Sequence, residues 1–201
     1  MYLFGASGHG KVIKDILNAN GIDVQAYVDD NKEIEECYGH KVLHDAAGLS
    51  PIIVSVGVNN VRKAIVQRLI FDNQNIEFGI AIHPSAVISP SAKIGEGTVV
   101  MAGAVINACA VIGRHCIVNT GATVDHDCVI NDYCHIAPGV NISGGVHVGE
   151  CTWVGVGSCV IQCVEIGKNC MIGAGSVVVR NIPDGVTAYG NPARIQLIER
   201  K

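Results

Sequence analysis

Aromatic residues are scarce here: Phe, Trp and Tyr make up 4% of 201 residues, although 49% are hydrophobic. Large rings dominate the buried area of most globular cores, so this interior is aliphatic and thin. Charge is sparse too, at 16%, with a net −4 and no basic run, which argues against nucleic acid as a partner. No stretch approaches the roughly 18 consecutive apolar residues of a membrane span. The opening Met1-Tyr2-Leu3-Phe4-Gly5 lacks a basic leader, so a cytoplasmic chain with no membrane association is expected. Nine cysteines are present, but no CxxC occurs and the count is odd, which points to free thiols. Cys116, Cys128, Cys134 and Cys170 read as compact apolar fillers. A catalytic zinc needs three converging imidazoles. His115, His126, His135 and His147 fall at intervals of 11, 9 and 12, with no HxxxxH pair, so no metal is expected.

What is present is a strict period of six. From Ile82 to Val178, seventeen successive sixth positions are Ile or Val. Helices need spacings of 3 and 4 and single strands need 2. Neither fits. A parallel β-helix does, with one short strand and one corner per hexad. Two residues before each aliphatic lies a second inward slot, filled by small or β-branched residues such as Ala104, Ala110, Cys116, Ala122, Cys128 and Cys134. The residue after the aliphatic is often Gly, Asn or Asp, read here as the residue that tolerates the corner's backbone angles. Three hexads make a coil of 18 residues, so residues 18 apart stack about 4.8 Å apart. His126 then lies between Ala108 and Gly144, and His135 stacks on Trp153. Gly144 is expected to leave an exposed amide near His126. His115 and His147 read as surface residues.

Before residue 80 the pattern changes. Tyr2-Leu3-Phe4 leads into Gly5-Ala6-Ser7-Gly8-His9-Gly10, a helix from Lys11 to about Asn20, and a strand over 24–28 that closes on Asp29-Asp30. Pro51 to Gly57 reads as another strand, and Asn59-Asn60 as the cap of a second helix over 61–71. This is a Rossmann-like βαβ unit, in which glycines admit a phosphate and the helix N-terminus favours its charge. Asp29 sits where an acid that contacts a ribose is expected. The GxxGxG spacing and the small size favour a nucleotide-linked substrate over NAD, and a small α/β cap without a ligand stays open. The expected organisation is an α/β Rossmann-like domain over 1–79, a parallel β-helix over 80–182, and a C-terminal cap or tail over 183–201. That tail breaks the hexad, and it should close the coil or fold toward a cofactor.

Several motifs together carry a resemblance. They are Gly5-Ala6-Ser7-Gly8-His9-Gly10-Lys11-Val12, Val28-Asp29-Asp30, Gly57-Val58-Asn59-Asn60-Val61-Arg62-Lys63, His83-Pro84-Ser85-Ala86, the run Asn119 to Cys128 around Asp125-His126-Asp127, Cys134-His135-Ile136-Ala137-Pro138-Gly139 and Gly190-Asn191-Pro192-Ala193-Arg194. The chain resembles the bacterial nucleotide-sugar N-acetyltransferases of the bacillosamine and related aminosugar pathways, grouped with the sialic acid O-acetyltransferases. The resemblance implies a left-handed β-helix and a homotrimer with acetyl-CoA bound between subunits. It implies acetyl transfer from acetyl-CoA to the amine of a UDP-linked 4-amino-sugar. His126 is the implied general base and Asp127 its partner. Cofactor contacts are implied at His135, Gly144, Val156 and Ala174, and nucleotide-sugar contacts at Ser7, Gly8, His9, Asp29, Asp30, Gly57 and Asn59. O-acetylation of a sialic acid is the competing reading, because a hydroxyl acceptor needs the same base.

Overall fold

The computed structural model describes residues 1–196, so the last part of the 183–201 segment lies outside the described residues. The chain starts with β1 (Tyr2–Phe4), α1 (Gly8–Ala19), β2 (Ala26–Val28), the short pair β3 (Glu36–Cys37) and β4 (His40–Leu43), then β5 (Ile52–Val54) and α2 (Asn59–Asp72). The sheet order is β3-β4-β2-β1-β5, with β1 parallel to β2 and to β5. Alternation along β1 explains the layering. Leu3 points toward α1, with Ile13, Ile16 and Tyr27, and Phe4 points toward α2, with Val66 and Leu69. The β3–β4 hairpin carries no strong periodic signal and was not expected from the sequence.

From Ala81 onward the chain is a β-solenoid of two-residue strands. The fold is the expected one, an α/β unit followed by a left-handed parallel β-helix. Three faces form, each a parallel sheet in register at 18 residues. The first face carries Val99, Ile117, His135 and Trp153; the second carries Val105, Thr123 and Asn141; the third carries Val111, Val129 and His147. We call the corner after the first face the first corner. The second corner (His126) follows the second face, and the third corner (His115) follows the third. The periodic aliphatics from Val100 to Val178 are buried and line one continuous core with the inward slot residues.

Two corner details differ from the sequence reading. Positive φ falls three residues after each aliphatic, not one after. It recurs at every sixth position from Gly97 to Gly175, including Cys109, His115, Asp127 and Tyr133, with φ between 53° and 70°. The glycines one residue after the aliphatic answer to space instead. A Cβ on Gly155 would lie 2.5 Å from the Ile172 carbonyl oxygen of the next coil. The inward cysteines also do more than fill space. Cys116 Sγ donates to the Asn131 carbonyl (3.1 Å) and Cys134 Sγ to that of Gly149 (3.0 Å), as Thr98 and Thr152 do with Oγ1 at 2.8 and 2.6 Å. Small donors in this slot therefore satisfy corner carbonyls of the next coil.

Past Ile182 the hexad is lost but the path continues. Ile182 bridges to Ile166 on the third face. Thr187–Gly190 pairs with Met171–Ile172 on the first face and folds back against Ala193–Gln196.

The α/β unit sits on the first face and third corner, where Leu3, Ile13 and Leu17 share a cluster with Ala81, Val99, Met101 and Ile117. Arg62 of α2 fastens it there. Its side chain is 1% exposed. It donates to the backbone carbonyls of Val56, Gly57, His115, Tyr133 and Cys134, and to Asn59 Oδ1. Among the described residues no acid balances it; burial lowers its pKa to about 10. A guanidinium presents enough fixed donors to satisfy several carbonyls at once, and removing it leaves them buried and unpaired. Arg62→Ala should cost at least about 3 kcal/mol and separate the melting of the α/β unit from that of the solenoid. Calorimetry checks this; a single unshifted transition would contradict it.

Candidate active site

His126 projects from the second corner, mostly exposed. The corner's backbone shapes its partnership. Asp127 takes φ +58°, a region that Asp adopts more readily than most residues. Asp127 Oδ2 lies 2.8 Å from His126 Nδ1. A carboxylate only accepts, so Nδ1 carries the proton and Nε2 keeps its lone pair. Behind the ring, Asp125 Oδ1 accepts the His126 backbone N–H at 2.8 Å and Asn107 Nδ2 at 2.9 Å. Those two bonds hold the Asp125 carboxyl below its usual range. Asp127's hydrogen bond, then the Asp125 charge, raise the His126 pKa above 6.5. A groove of about 480 Å³ opens beside the ring, lined by Asp125, His126, Asp127, Gly144, Gln162 and Cys163.

Gly144 is the column neighbour expected from stacking, but its role differs. It is buried, and a Cβ there would come within 2.6 Å of His126 Nε2 and Cε1. The expectation of an exposed amide is therefore replaced. Gly144 provides the floor on which the imidazole lies.

A second group of residues gathers where the α/β unit meets the first face. In the Gly-rich turn, Gly5 (φ +117°) and Gly10 are needed for packing. A Cβ on Gly5 would sit 2.9 Å from Ser55 O, and one on Gly10 3.0 Å from the Tyr27 ring. Gly8 has open space, and it begins α1 beside exposed Ser7. Asp29 spends one oxygen on the Ala6 N–H and the other on that of Asn31, both at 2.9 Å. It thus ties β2 to the turn. Asp30 is the neighbouring carboxylate that faces open cavities. His9 is held neutral, its pKa lowered to about 4 by burial and then by Arg62, and its buried Nε2 has no partner among the described residues.

Two sequence readings are corrected at this seam. Asn59 does not cap α2 with its side chain, and Val58 holds the cap position. Asn59 is buried, its Nδ2 donating to the Cys151 carbonyl and its Oδ1 accepting from Arg62 Nη2. His115 is 2% exposed, not a surface residue. It stacks against Tyr133 and meets Phe78 edge-on, and burial and then Arg62 lower its pKa to about 4. His135 does stack on Trp153, with centroids 4.1 Å apart. It is buried, however, with Nε2 3.0 Å from Asn119 Nδ2 and Nδ1 3.3 Å from the Gly57 carbonyl. Those partners assign the proton to Nδ1, and burial holds the ring neutral at a pKa of about 3. Val156 and Ala174 lie exposed at the first corner. The structure thus brings Gly57, Asn59 and His135 to the seam, with His9 near His135. Ser7, Gly8, Asp29 and Asp30 stay on the α/β unit, and His126, Asp127 and Gly144 lie apart at the second corner. The role of Arg62 escaped the sequence reading because nothing in helix periodicity marks a buried cation. Among the described residues, no group of three or more His, Cys, Asp or Glu is placed to hold a metal ion, and no helix is long and apolar enough to cross a membrane.

Comparison with known proteins adds context to this geometry. Residues 1–69 match the family model described as the PglD N-terminal domain. The chain is 46% identical over 109 residues to UDP-N-acetylbacillosamine N-acetyltransferase of Bacillus subtilis, covering 49% of this chain and about half (50%) of that relative's length. It is similar to a His-to-Asn mutant of perosamine N-acetyltransferase from Caulobacter crescentus, solved with CoA and GDP-perosamine. That match has a TM-score of 0.92 and 42% identity, covering 97% of this chain and 95% of the other. The acetyltransferase domain of PglB from Neisseria gonorrhoeae, solved with acetyl coenzyme A, matches with a TM-score of 0.90 and 39% identity, covering 97% and 98%.

The floor beneath the imidazole is a sharp test of the site. Gly144→Ala should tilt the ring and cut turnover on the order of 10²-fold, with the melting temperature nearly unchanged because Gly144 has no positive φ. Full activity in that variant would contradict the assignment.

Proposed function

Because the chain belongs to the family of nucleotide-sugar N-acetyltransferases that includes the perosamine and PglB enzymes, we propose that it transfers acetyl from acetyl-CoA to the amine of a nucleotide-linked aminosugar. A UDP-linked 4-amino-4,6-dideoxy sugar is the favoured acceptor, with GDP the next carrier, as in the names of the relatives. One observation carries the mechanism. The Nδ1–Asp127 hydrogen bond of 2.8 Å leaves Nε2 as the acceptor of a ring that lines an open groove.

As the acceptor nitrogen bonds to the acetyl carbon, the thioester C–S bond breaks and CoA leaves as the thiol. The nitrogen's proton passes to His126 Nε2. Asp127 stabilises the imidazolium that forms, and the imidazolium then gives its proton to the departing thiolate. The thioester is already activated, so no cysteine nucleophile is required. Cys116, Cys128, Cys134 and Cys170 are buried in the core.

The layout favours a site completed by a second copy. The α/β unit, with its Gly-rich turn, sits on the first face, and His126 stands on the opposite vertex of the triangular coil. Val156 and Ala174 stand on a third location, the first corner. A trimer in which one subunit's second corner meets a neighbour's first corner and α/β unit brings these together. It leaves acetyl-CoA between coils.

His126→Ala should lower kcat/KM for an amine acceptor by roughly 10²–10⁴-fold. The pH profile supplies the sign. The base works deprotonated, so kcat/KM rises with pH through the His126 pKa. Asp127 raises that pKa, so Asp127→Asn should move the acidic limb to lower pH while reducing the plateau. Thiol release from acetyl-CoA, measured against UDP- and GDP-aminosugars and sialic acids, checks both. Turnover only on sialic acids would replace amine transfer with O-acetylation, and an unaffected His126→Ala would sink the mechanism.

A further inference from the structure

Resting on His126 as the base proposed above, we infer that Cys128 is a positioning residue for it: its buried thiol holds the peptide on which the imidazole lies. Cys128 is fully buried in the solenoid core, two residues after His126. Its Sγ donates to the Ser143 carbonyl at 3.1 Å. That carbonyl and the Gly144 N–H belong to one planar peptide, so fixing the carbonyl fixes the Gly144 N–H and Cα with it. Gly144 is the residue whose missing Cβ makes room for His126 Nε2 and Cε1. A second bond closes the same loop, because the Gly145 N–H donates to the His126 carbonyl at 2.9 Å.

The bond belongs to a recurring geometry. Inward-slot donors reach corner carbonyls of the next coil from Thr98 to Gly113, Cys116 to Asn131, Cys134 to Gly149, Thr152 to Gly167 and Ser158 to Gly173. Toward the third corner, the slot carries Thr98, Cys116, Cys134, Thr152 and Cys170, and every one of them donates. Toward the second corner, it carries Ala92, Ala110, Cys128, Val146 and Val164. Cys128 is the one donor in that column, and it stands in the coil where His126 lies on Gly144. Alanine or valine fills the other levels of the column, so packing alone does not call for a thiol there.

Sulfur is a weak donor, and such bonds matter where a geometry recurs. The alternative at this depth is a carbonyl with no partner. A peptide that turned outward to reach water would move Gly144 against the ring and shift Nε2 in the groove. Burial raises the Cys128 pKa above the ordinary thiol value, so the proton needed for donation stays in place. The thiol thereby acts on the reaction without touching either substrate.

The test is steady-state kinetics of acetyl transfer to the nucleotide-linked aminosugar that gives most thiol release, with melting temperatures measured alongside. Cys128→Val and Cys128→Ala place in the slot residues that its column already accepts. Both should lower kcat on the order of tenfold with the two KM values little changed. Cys128→Ser should keep most of the wild-type kcat, since Ser158 makes the same bond from the same slot at 3.0 Å. Cys170→Val removes an equivalent bond, to the Pro183 carbonyl at 3.0 Å, away from the groove. It should lower the melting temperature as Cys128→Val does and leave kcat alone. Wild-type kcat in both Cys128→Val and Cys128→Ala would overturn the inference. So would a Cys128→Ser variant as slow as Cys128→Ala, or an equal loss of kcat in Cys170→Val. Those outcomes leave the base standing, because His126→Ala in the same series reads it separately. An unaffected His126→Ala would remove the base and this inference with it.

Discussion

Each coil of the solenoid hydrogen-bonds to the next at a fixed offset of 18 residues, as Val105 does with Thr123 and Thr123 with Asn141. Almost everything else about the candidate site follows from that register. It places Gly144 under His126, and Asp132 over Arg114 at 3.0 Å. It also repeats one left-handed backbone residue at the same place in every corner, and at the second corner that residue is Asp127. The αL geometry folds the Asp127 carboxylate back onto the preceding ring. The proposed general base and its orienting acid are thus built from two adjacent residues, with no contribution needed from a distant loop. The core that enforces this is a column of aliphatic side chains packed at crystalline density, which leaves little freedom for a slip.

The second organising element is the weld between the two units. Arg62 satisfies five backbone carbonyls from both units at once. Asn59 adds a link to Cys151, and Lys63 pairs with Glu150 at 2.8 Å on the rim. The rim pair is partly exposed and contributes little; the buried guanidinium is the stronger constraint. Its consequence for function is spatial. Fixing the α/β unit to the first face sets the Gly-rich turn apart from the same chain's His126, which is why the function proposed above draws chemistry and acceptor binding from different copies of the chain.

Much of this was legible in the sequence, for a physical reason. A solenoid converts linear spacing into spatial adjacency, so Ile82 to Val178 announced the coil and the 18-residue rule announced His135 on Trp153. What stayed hidden lies where that rule does not apply. His115 looks like any corner residue until α2 and Phe78 cover it. Asn59 looks like a helix cap until its amide is spent on Cys151. Asp29 and Asp30 are indistinguishable by type and spacing. Only the hydrogen bonds from Ala6 and Asn31 show that Asp29 serves the turn, while Asp30 faces the cavities with Arg68. The corner angles were misplaced because composition marks the crowded glycines, such as Gly155, more visibly than the αL positions, where His115, Tyr133 and Cys151 stand.

The most direct test of a base and an acceptor site supplied by different copies is subunit complementation. Two inactive variants would be refolded together: His126→Ala, which lacks the base, and Gly8→Asp, which places a carboxylate at the open position of the Gly-rich turn. If the site is shared, mixed assemblies regain acetyl transfer because some clefts combine an intact His126 with an intact turn. If each chain carries a complete site, the mixture stays as inactive as its components, and the division of labour proposed here is wrong.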